Sequence, residues 1–109
     1  MTDSNRQVLL SSLLCDMGKC LAGAADYWAL AQSIWDAASA MTSHEEKLFR
    51  EYLQWLEGNL DMLLNLGADD QTLGRFLQDQ MAVIEASRSD ASAIESAVRQ
   101  DALNYLTST

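Results

Sequence analysis

Residues 10–41, LSSLLCDMGKCLAGAADYWALAQSIWDAASAM, carry the apolar pattern that decides the fold. Apolar residues recur there at three positions of a seven-residue repeat, and the phase is kept over the whole stretch. Because this spacing gathers them on one broad face of a helix, it predicts an amphipathic α-helix. The first series is Leu10, Met17, Ala24, Ala31 and Ala38, the second is Leu13, Cys20, Tyr27, Ile34 and Met41, and the third is Leu14, Leu21, Trp28 and Trp35.

The length of this segment conflicts with a compact fold. A continuous helix over residues 3–41 would be about 58 Å long, whereas a compact chain of this size has a radius of gyration of about 13 Å. Gly18 and Gly23 are the candidate breakpoints, because glycine destabilises a helix interior, and Gly23 can serve as a C-terminal cap. We therefore expect a break or kink between them, although the seven-residue phase runs through both glycines.

The rest of the chain predicts shorter helices with recognisable ends. Ser43 and Glu46 have the spacing of a capping box, so a second helix should begin near His44. Gly67 should end it. Asp69 or Asp70 can cap a third helix, and the polar residues 87–90 separate that helix from a final one. The apolar face of the final helix is predicted to consist of Ala91, Ile94, Val98, Ala102 and Tyr105.

The fold predicted from these elements is all-α. The chain has no proline and no strand-like alternation, and the short polar connections favour antiparallel neighbours. We expect a small antiparallel helical bundle of four to five helices, with the first helix long or kinked near Gly18 to Gly23. A length of 109 residues is typical of one domain, so residues 1–109 are expected to form a single helical domain.

Charge and hydropathy limit the classes of partner. The chain has 16 acidic and 7 basic residues, a net charge of −9 at pH 7. This charge repels phosphate backbones and anionic lipid headgroups, so we expect neither direct nucleic-acid binding nor membrane binding. No apolar run reaches the roughly 20 residues that span a bilayer, and the first residues lack the features of a signal peptide. We expect a cytoplasmic protein.

The sequence offers little for catalysis, metal binding or a cofactor. His44 is the only histidine, whereas di-metal bundles and zinc enzymes need several ligands of this kind. Cys15 and Cys20 are too far apart on a helix to form a disulfide, so we expect two reduced and mostly buried thiols. A redox role would need an exposed thiolate beside positive charge, for which Lys19 is the only nearby candidate. We therefore predict no enzyme activity, no catalytic residues, no metal and no cofactor.

Two groups of residues are candidates for binding a partner. One group is acidic and lies in residues 51–74, which contain no lysine or arginine; its members are Glu51, Glu57, Asp61, Asp69 and Asp70. Two interpretations of these carboxylates are open. They keep the protein soluble, or they bind a basic surface on another protein. The other group is Trp28 and Trp35, which share one helix face. Three interpretations of the tryptophans are open: they pack in the core, they form an exposed hot spot of an interface, or they line a cofactor slot between helices.

These features favour a non-enzymatic interaction protein that binds a larger basic partner and inhibits or adapts it. In composition the chain resembles the small acidic inhibitors made by phages and mobile elements, some of which occupy nucleic-acid-binding grooves by mimicking phosphate charge. The resemblance implies a basic protein or a nucleic-acid-binding host defence complex as partner. The alternative is a dimeric chaperone or assembly factor, in which the first helix pairs with its own copy or with a client helix and buries Trp28 and Trp35. An enzyme or a cofactor-binding bundle is a third possibility.

Overall fold

Six helices and no strand make up the part of the chain that the structure describes. The structure is a computed structural model that describes residues 3–107, with side chains from residue 6 to residue 106. The helices are α1 (Asp3–Leu21), α2 (Tyr27–Ala40), α3 (Lys47–Asn65), α4 (Asp70–Ser87), α5 (Ser92–Ala97) and α6 (Asn104–Thr107), and a 3₁₀ turn at His44–Glu46 leads into α3. The predicted all-α helical bundle is confirmed: four long helices form it, and two short ones follow.

The long apolar segment is divided into two helices at Gly23. This residue has a φ of +76°, in the left-handed region that glycine adopts without strain. The Gly23 amide donates to the Cys20 carbonyl at 3.1 Å and the Ala24 amide to the Lys19 carbonyl at 2.8 Å, which is the Schellman arrangement that ends helices. The Asp26 carboxylate then accepts from the Trp28 amide at 3.2 Å and caps α2. The predicted break is confirmed.

After this break the buried face of α2 is not the one that the heptad predicts. The first and second apolar series stay inside, with Ala31 and Ile34 buried. However, Leu30 and Ala37, each one position before the first series, are also buried. The core side of α2 therefore turns toward these residues, and the two members of the third series that lie on α2, Trp28 and Trp35, face outward.

The core is shared by all four long helices. α1 contacts α2 and α4, and α3 has its most extensive contact with α2. The largest fully buried side chains come from every long helix; they are Tyr52, Phe76, Leu10, Met17, Ile34, Met41, Leu53, Leu56, Leu60, Leu63, Leu77 and Ile84. This core fixes α2 beside α3 and so determines which of their side chains meet at the surface.

The prediction of one continuous final helix is wrong, because the structure has two short helices there. Its apolar positions Ile94 and Ala102 are buried, but residues 98–103 form turns between α5 and α6. The Asp101 carboxylate accepts from the Leu103 amide at 3.0 Å, a local bond that competes with helix continuation. The break brings Tyr105 against Phe76, with ring centroids 5.3 Å apart.

The capping box before α3 is present and involves a buried acid. The Ser43 hydroxyl donates to Glu46 Oε1 at 2.6 Å, and the Ser43 amide donates to the same oxygen at 3.3 Å. Glu46 is only 2% exposed. The Ser43 hydroxyl holds the pKa of Glu46 below its ordinary value, although burial opposes this, and the Ser43 amide and the Arg6 charge add to the lowering.

We expect Glu46→Gln, which keeps an acceptor oxygen but removes the charge, to destabilise the protein by up to about 1 kcal/mol at neutral pH, because hydrogen bonds to a carboxylate are stronger than those to an amide. A carboxylate whose pKa is lowered in the folded state stabilises that state above its unfolded pKa, and the contribution is lost as the pH falls through the folded value. The difference from wild type should therefore shrink below about pH 4.5. Urea unfolding between neutral and acid pH measures this difference in the free energy of unfolding, and the variant Glu45→Gln at an exposed position is the control. A difference that does not change with pH would contradict the lowered pKa of Glu46.

Among residues 3–107, none of the helices combines the length and the apolar character needed to cross a bilayer.

Candidate functional site

A surface groove between α2 and α3 gathers four of the residues predicted to bind a partner. We call it the Trp groove. Its volume is about 430 Å³, and its lining residues are Trp28, Ala31, Gln32, Trp35, Glu57 and Asp61. Residues from two predicted groups, the tryptophans and the acids, therefore meet at one place.

Helical spacing explains why these side chains line up. Trp28 and Trp35 are seven residues apart, so they lie on one face of α2 about 10.5 Å apart along its axis. Glu57 and Asp61 are four residues apart and neighbour each other on α3. The packing of α2 on α3 brings the two pairs to the same groove.

Both tryptophans of the groove are strongly exposed. Trp28 is 48% exposed and Trp35 is 50% exposed, so interpreting them as core residues is wrong. Trp55, the third tryptophan of the chain, is partly buried and has its ring near Tyr52 and Phe76. Exposed aromatic residues in a concave site are typical of binding surfaces.

Among residues 6–106, whose side chains the structure describes, no lysine or arginine lines the groove to neutralise its carboxylates. The ion pairs found between described residues lie elsewhere, joining Lys47 to Glu51 at 3.9 Å and Arg88 to Glu85 at 3.7 Å. Asp61 accepts a hydrogen bond from the Asn65 amide group at 3.1 Å, which leaves its charge in place. The groove is therefore negative as well as aromatic.

The other three predicted acids do not join the groove. Glu51 is exposed on α3, rotated by about 120° from Glu57, and it pairs with Lys47. Asp69 caps α4 by accepting from the Thr72 amide at 2.8 Å, and this bond lowers the pKa of Asp69. Asp70 lines a different cavity. The five acids thus do not form one continuous patch.

The cavity that contains Asp70 has charges of both signs. It lies between the α1–α2 connection and α4, with a volume of about 570 Å³. Asp26 and Asp70 line it together with Arg75, and Arg75 already donates to the Tyr105 carbonyl at 3.1 Å. Burial raises the pKa of Tyr27 at this cavity, and the Asp70 charge adds to the rise. This cavity therefore has an arginine beside its carboxylates, whereas the lining of the Trp groove has carboxylates only.

The histidine and the two cysteines, the residues considered for catalysis, do not line the Trp groove. His44 is exposed in the 3₁₀ turn. Cys15 and Cys20 are free thiols, and Cys15 is exposed, so the prediction that both are mostly buried is wrong for Cys15. Burial raises the pKa of Cys20, with Asp16 and Asp26 adding to the rise. Between residues 3 and 107, no group of three or more His, Cys, Asp or Glu side chains is arranged to hold a metal ion.

Sequence reasoning missed two residues of the groove, Ala31 and Gln32. Ala31 is buried between the tryptophans and forms part of the groove lining. The signal was a small residue midway between two aromatics on one helix face. Gln32 donates to Asp36 at 2.9 Å, and its position on the edge of the apolar face gave no separate signal.

Comparison with known proteins identifies no relative: no family model matches the chain, and neither a curated protein nor a solved structure matches it significantly.

Proposed function

We propose that this chain is a non-enzymatic interaction protein that binds a larger basic protein through the Trp groove. The observation that carries the proposal is the groove itself, in which two half-exposed tryptophans adjoin Glu57 and Asp61 and no cationic side chain of the described residues takes part. Tryptophan is among the residues that dominate binding energy at interfaces. Carboxylates beside it favour partners of opposite charge and speed their encounter.

Binding of this kind would inhibit or adapt the partner. The net charge of −9 supports a basic partner, and nucleic-acid-binding complexes present such surfaces. A phage or mobile-element inhibitor of a host defence complex fits this description. Mimicry of nucleic acid would involve Glu57 and Asp61, which are about 6 Å apart along α3. The acidic composition supports the inhibitory outcome and a nucleic-acid-binding complex as the target.

Charge reversal in the groove tests the proposal. We expect Glu57→Lys/Asp61→Lys and Trp28→Ala/Trp35→Ala each to weaken partner binding at least about tenfold. The partner is first captured from the producing cells with the wild-type protein and then purified. Its Kd is measured by calorimetry for each variant, from about 0.05 M to about 0.5 M salt. Wild-type affinity should fall as the salt concentration rises.

The matched control is Glu85→Lys/Glu95→Lys, which makes the same charge change at exposed positions outside the groove. This variant should bind within about threefold of wild type, because long-range charge alone is screened by salt. Circular dichroism checks that every variant is folded. A partner that binds all variants equally, or whose affinity does not change with salt, would sink the proposal.

The alternative of a dimeric chaperone depends on the first helix. In the folded chain α1 ends at Leu21, and Leu10, Leu13 and Met17 are buried within the molecule. A copy or a client helix would therefore have to use another surface, such as the Trp groove. Sedimentation at micromolar concentration separates the two functions, since a homodimer is expected only for the second.

A further inference from the structure

We infer that the Trp groove is a receptor for a single arginine side chain of the partner. The inference rests on the proposed function and deepens it, because it names the chemical group that the groove recognises. Three properties of the groove carry it: the two half-exposed indole side chains, the adjoining carboxylates and the small residue between the indoles.

The two kinds of side chain suit the two properties of a guanidinium group. A planar guanidinium stacks on an aromatic face, and tryptophan provides the strongest such interaction. It also carries five N–H donors in a fixed fork that fits carboxylate oxygens. Trp28 and Trp35 provide half-exposed aromatic side chains, and Glu57 and Asp61 provide carboxylate acceptors, in the lining of the same groove.

The dimensions of the groove admit a long side chain. Ala31 lies between Trp28 and Trp35 on α2. Its side chain is only a methyl group, so it does not fill the space between the two indoles. The volume of about 430 Å³ lies in the range of small-ligand pockets. An arginine side chain can place its apolar stem along the indoles and its charged end at the carboxylates.

Charge argues against a second copy of this chain as the occupant. Each copy carries a net charge of −9, and the groove of a copy would present Glu57 and Asp61 again. Like charges brought together in this way oppose association. An apolar client helix would also leave both carboxylates covered and without a cation, which costs free energy. A basic side chain is the occupant that satisfies the whole lining.

The test uses three peptides of glycine and serine that differ only at one central residue, which is arginine, lysine or citrulline. Citrulline keeps the shape of arginine without its charge. Binding to the 109-residue chain is followed at low salt by NMR of the indole N–H signals. Trp28→Phe and Trp35→Phe assign two of the three signals, and Trp55 serves as the internal reference outside the groove.

We expect the arginine peptide to shift the Trp28 and Trp35 signals saturably and to leave the Trp55 signal in place. The lysine peptide should bind at least about fivefold more weakly because it lacks the planar fork, and the citrulline peptide should give no saturable shift. Glu57→Gln/Asp61→Asn should weaken arginine binding about tenfold or more. The matched control Glu85→Gln/Glu95→Gln should remain within about twofold of wild type.

The other outcomes separate this inference from the proposed function. Equal binding of the lysine and arginine peptides at the groove would overturn the arginine assignment while leaving the basic partner intact. If neither basic peptide shifts the indole N–H signals of Trp28 and Trp35, the result overturns both the arginine receptor and the groove as the docking site of a basic partner. Equal weakening by the control variant would reduce the effect to bulk charge and would also overturn the receptor.

Discussion

Replacing Phe76 with alanine is expected to lower the free energy of unfolding by about 3–5 kcal/mol. Phe76 is fully buried on α4. Its ring centroid lies 6.1 Å from that of Trp55 and 5.3 Å from that of Tyr105, the latter in an edge-on arrangement. Truncation removes both aromatic contacts and leaves a cavity where α3, α4 and α6 meet, so the cost contains a transfer part and a cavity part.

Urea unfolding followed by circular dichroism measures the effect. Phe76→Leu provides a variant that retains most of the volume and should lose a smaller amount, so the comparison survives if Phe76→Ala is largely unfolded. The control is Leu103→Ala at a side chain that is 43% exposed, where we expect a change within about 0.5 kcal/mol. A loss below about 1 kcal/mol for Phe76→Ala would mean that this part of the core is not packed as described.

Breaking the buried bond between Tyr52 and Gln80 from one side is expected to cost about 1–3 kcal/mol. The Tyr52 hydroxyl donates to Gln80 Oε1 at 2.8 Å, and both side chains are buried. Burial raises the pKa of Tyr52 well above its ordinary range, so the phenol stays protonated and acts as donor. Gln80→Leu leaves this hydroxyl without its partner in an apolar environment.

A double-mutant cycle tests the pair. Because Tyr52→Phe/Gln80→Leu removes both polar groups together, the double variant should lose less stability than the sum of the two single losses. Gln78→Leu, at an exposed position on the same helix, checks for effects of the leucine side chain itself. Strict additivity of the two single variants would show that the hydrogen bond contributes no coupling energy.

The helix boundaries were predictable because their signals are local. Gly23 and Gly67 both have positive φ, and the residue before a helix supplies the cap at Asp26 and Asp69. Such caps depend on a few neighbouring residues, so the sequence pattern contains most of the information. The continuity of the last helix was not predictable in this way. It depends on Asp101 and on Tyr105 reaching Phe76, which is distant in sequence.

The candidate site was predictable only in part. From the sequence, Trp28, Trp35, Glu57 and Asp61 are predicted as candidates for binding a partner. However, the heptad alone cannot decide whether the tryptophans face the core, because three apolar positions make a face wider than one helix needs to bury. Packing decided it, by burying Leu30 on the other side of α2. The separation of the five acids likewise follows from tertiary structure rather than from their spacing.

The Trp groove lies on a single helical hairpin, formed by α2 and α3, and its exposed side chains take little part in the core. The residues that we propose to recognise a partner and those that maintain the fold are therefore largely different sets. Selection, natural or in the laboratory, can vary positions 28, 32, 35, 57 and 61 to change what is recognised at small cost in stability. The bundle can in this way serve as one scaffold for a series of binders with different targets.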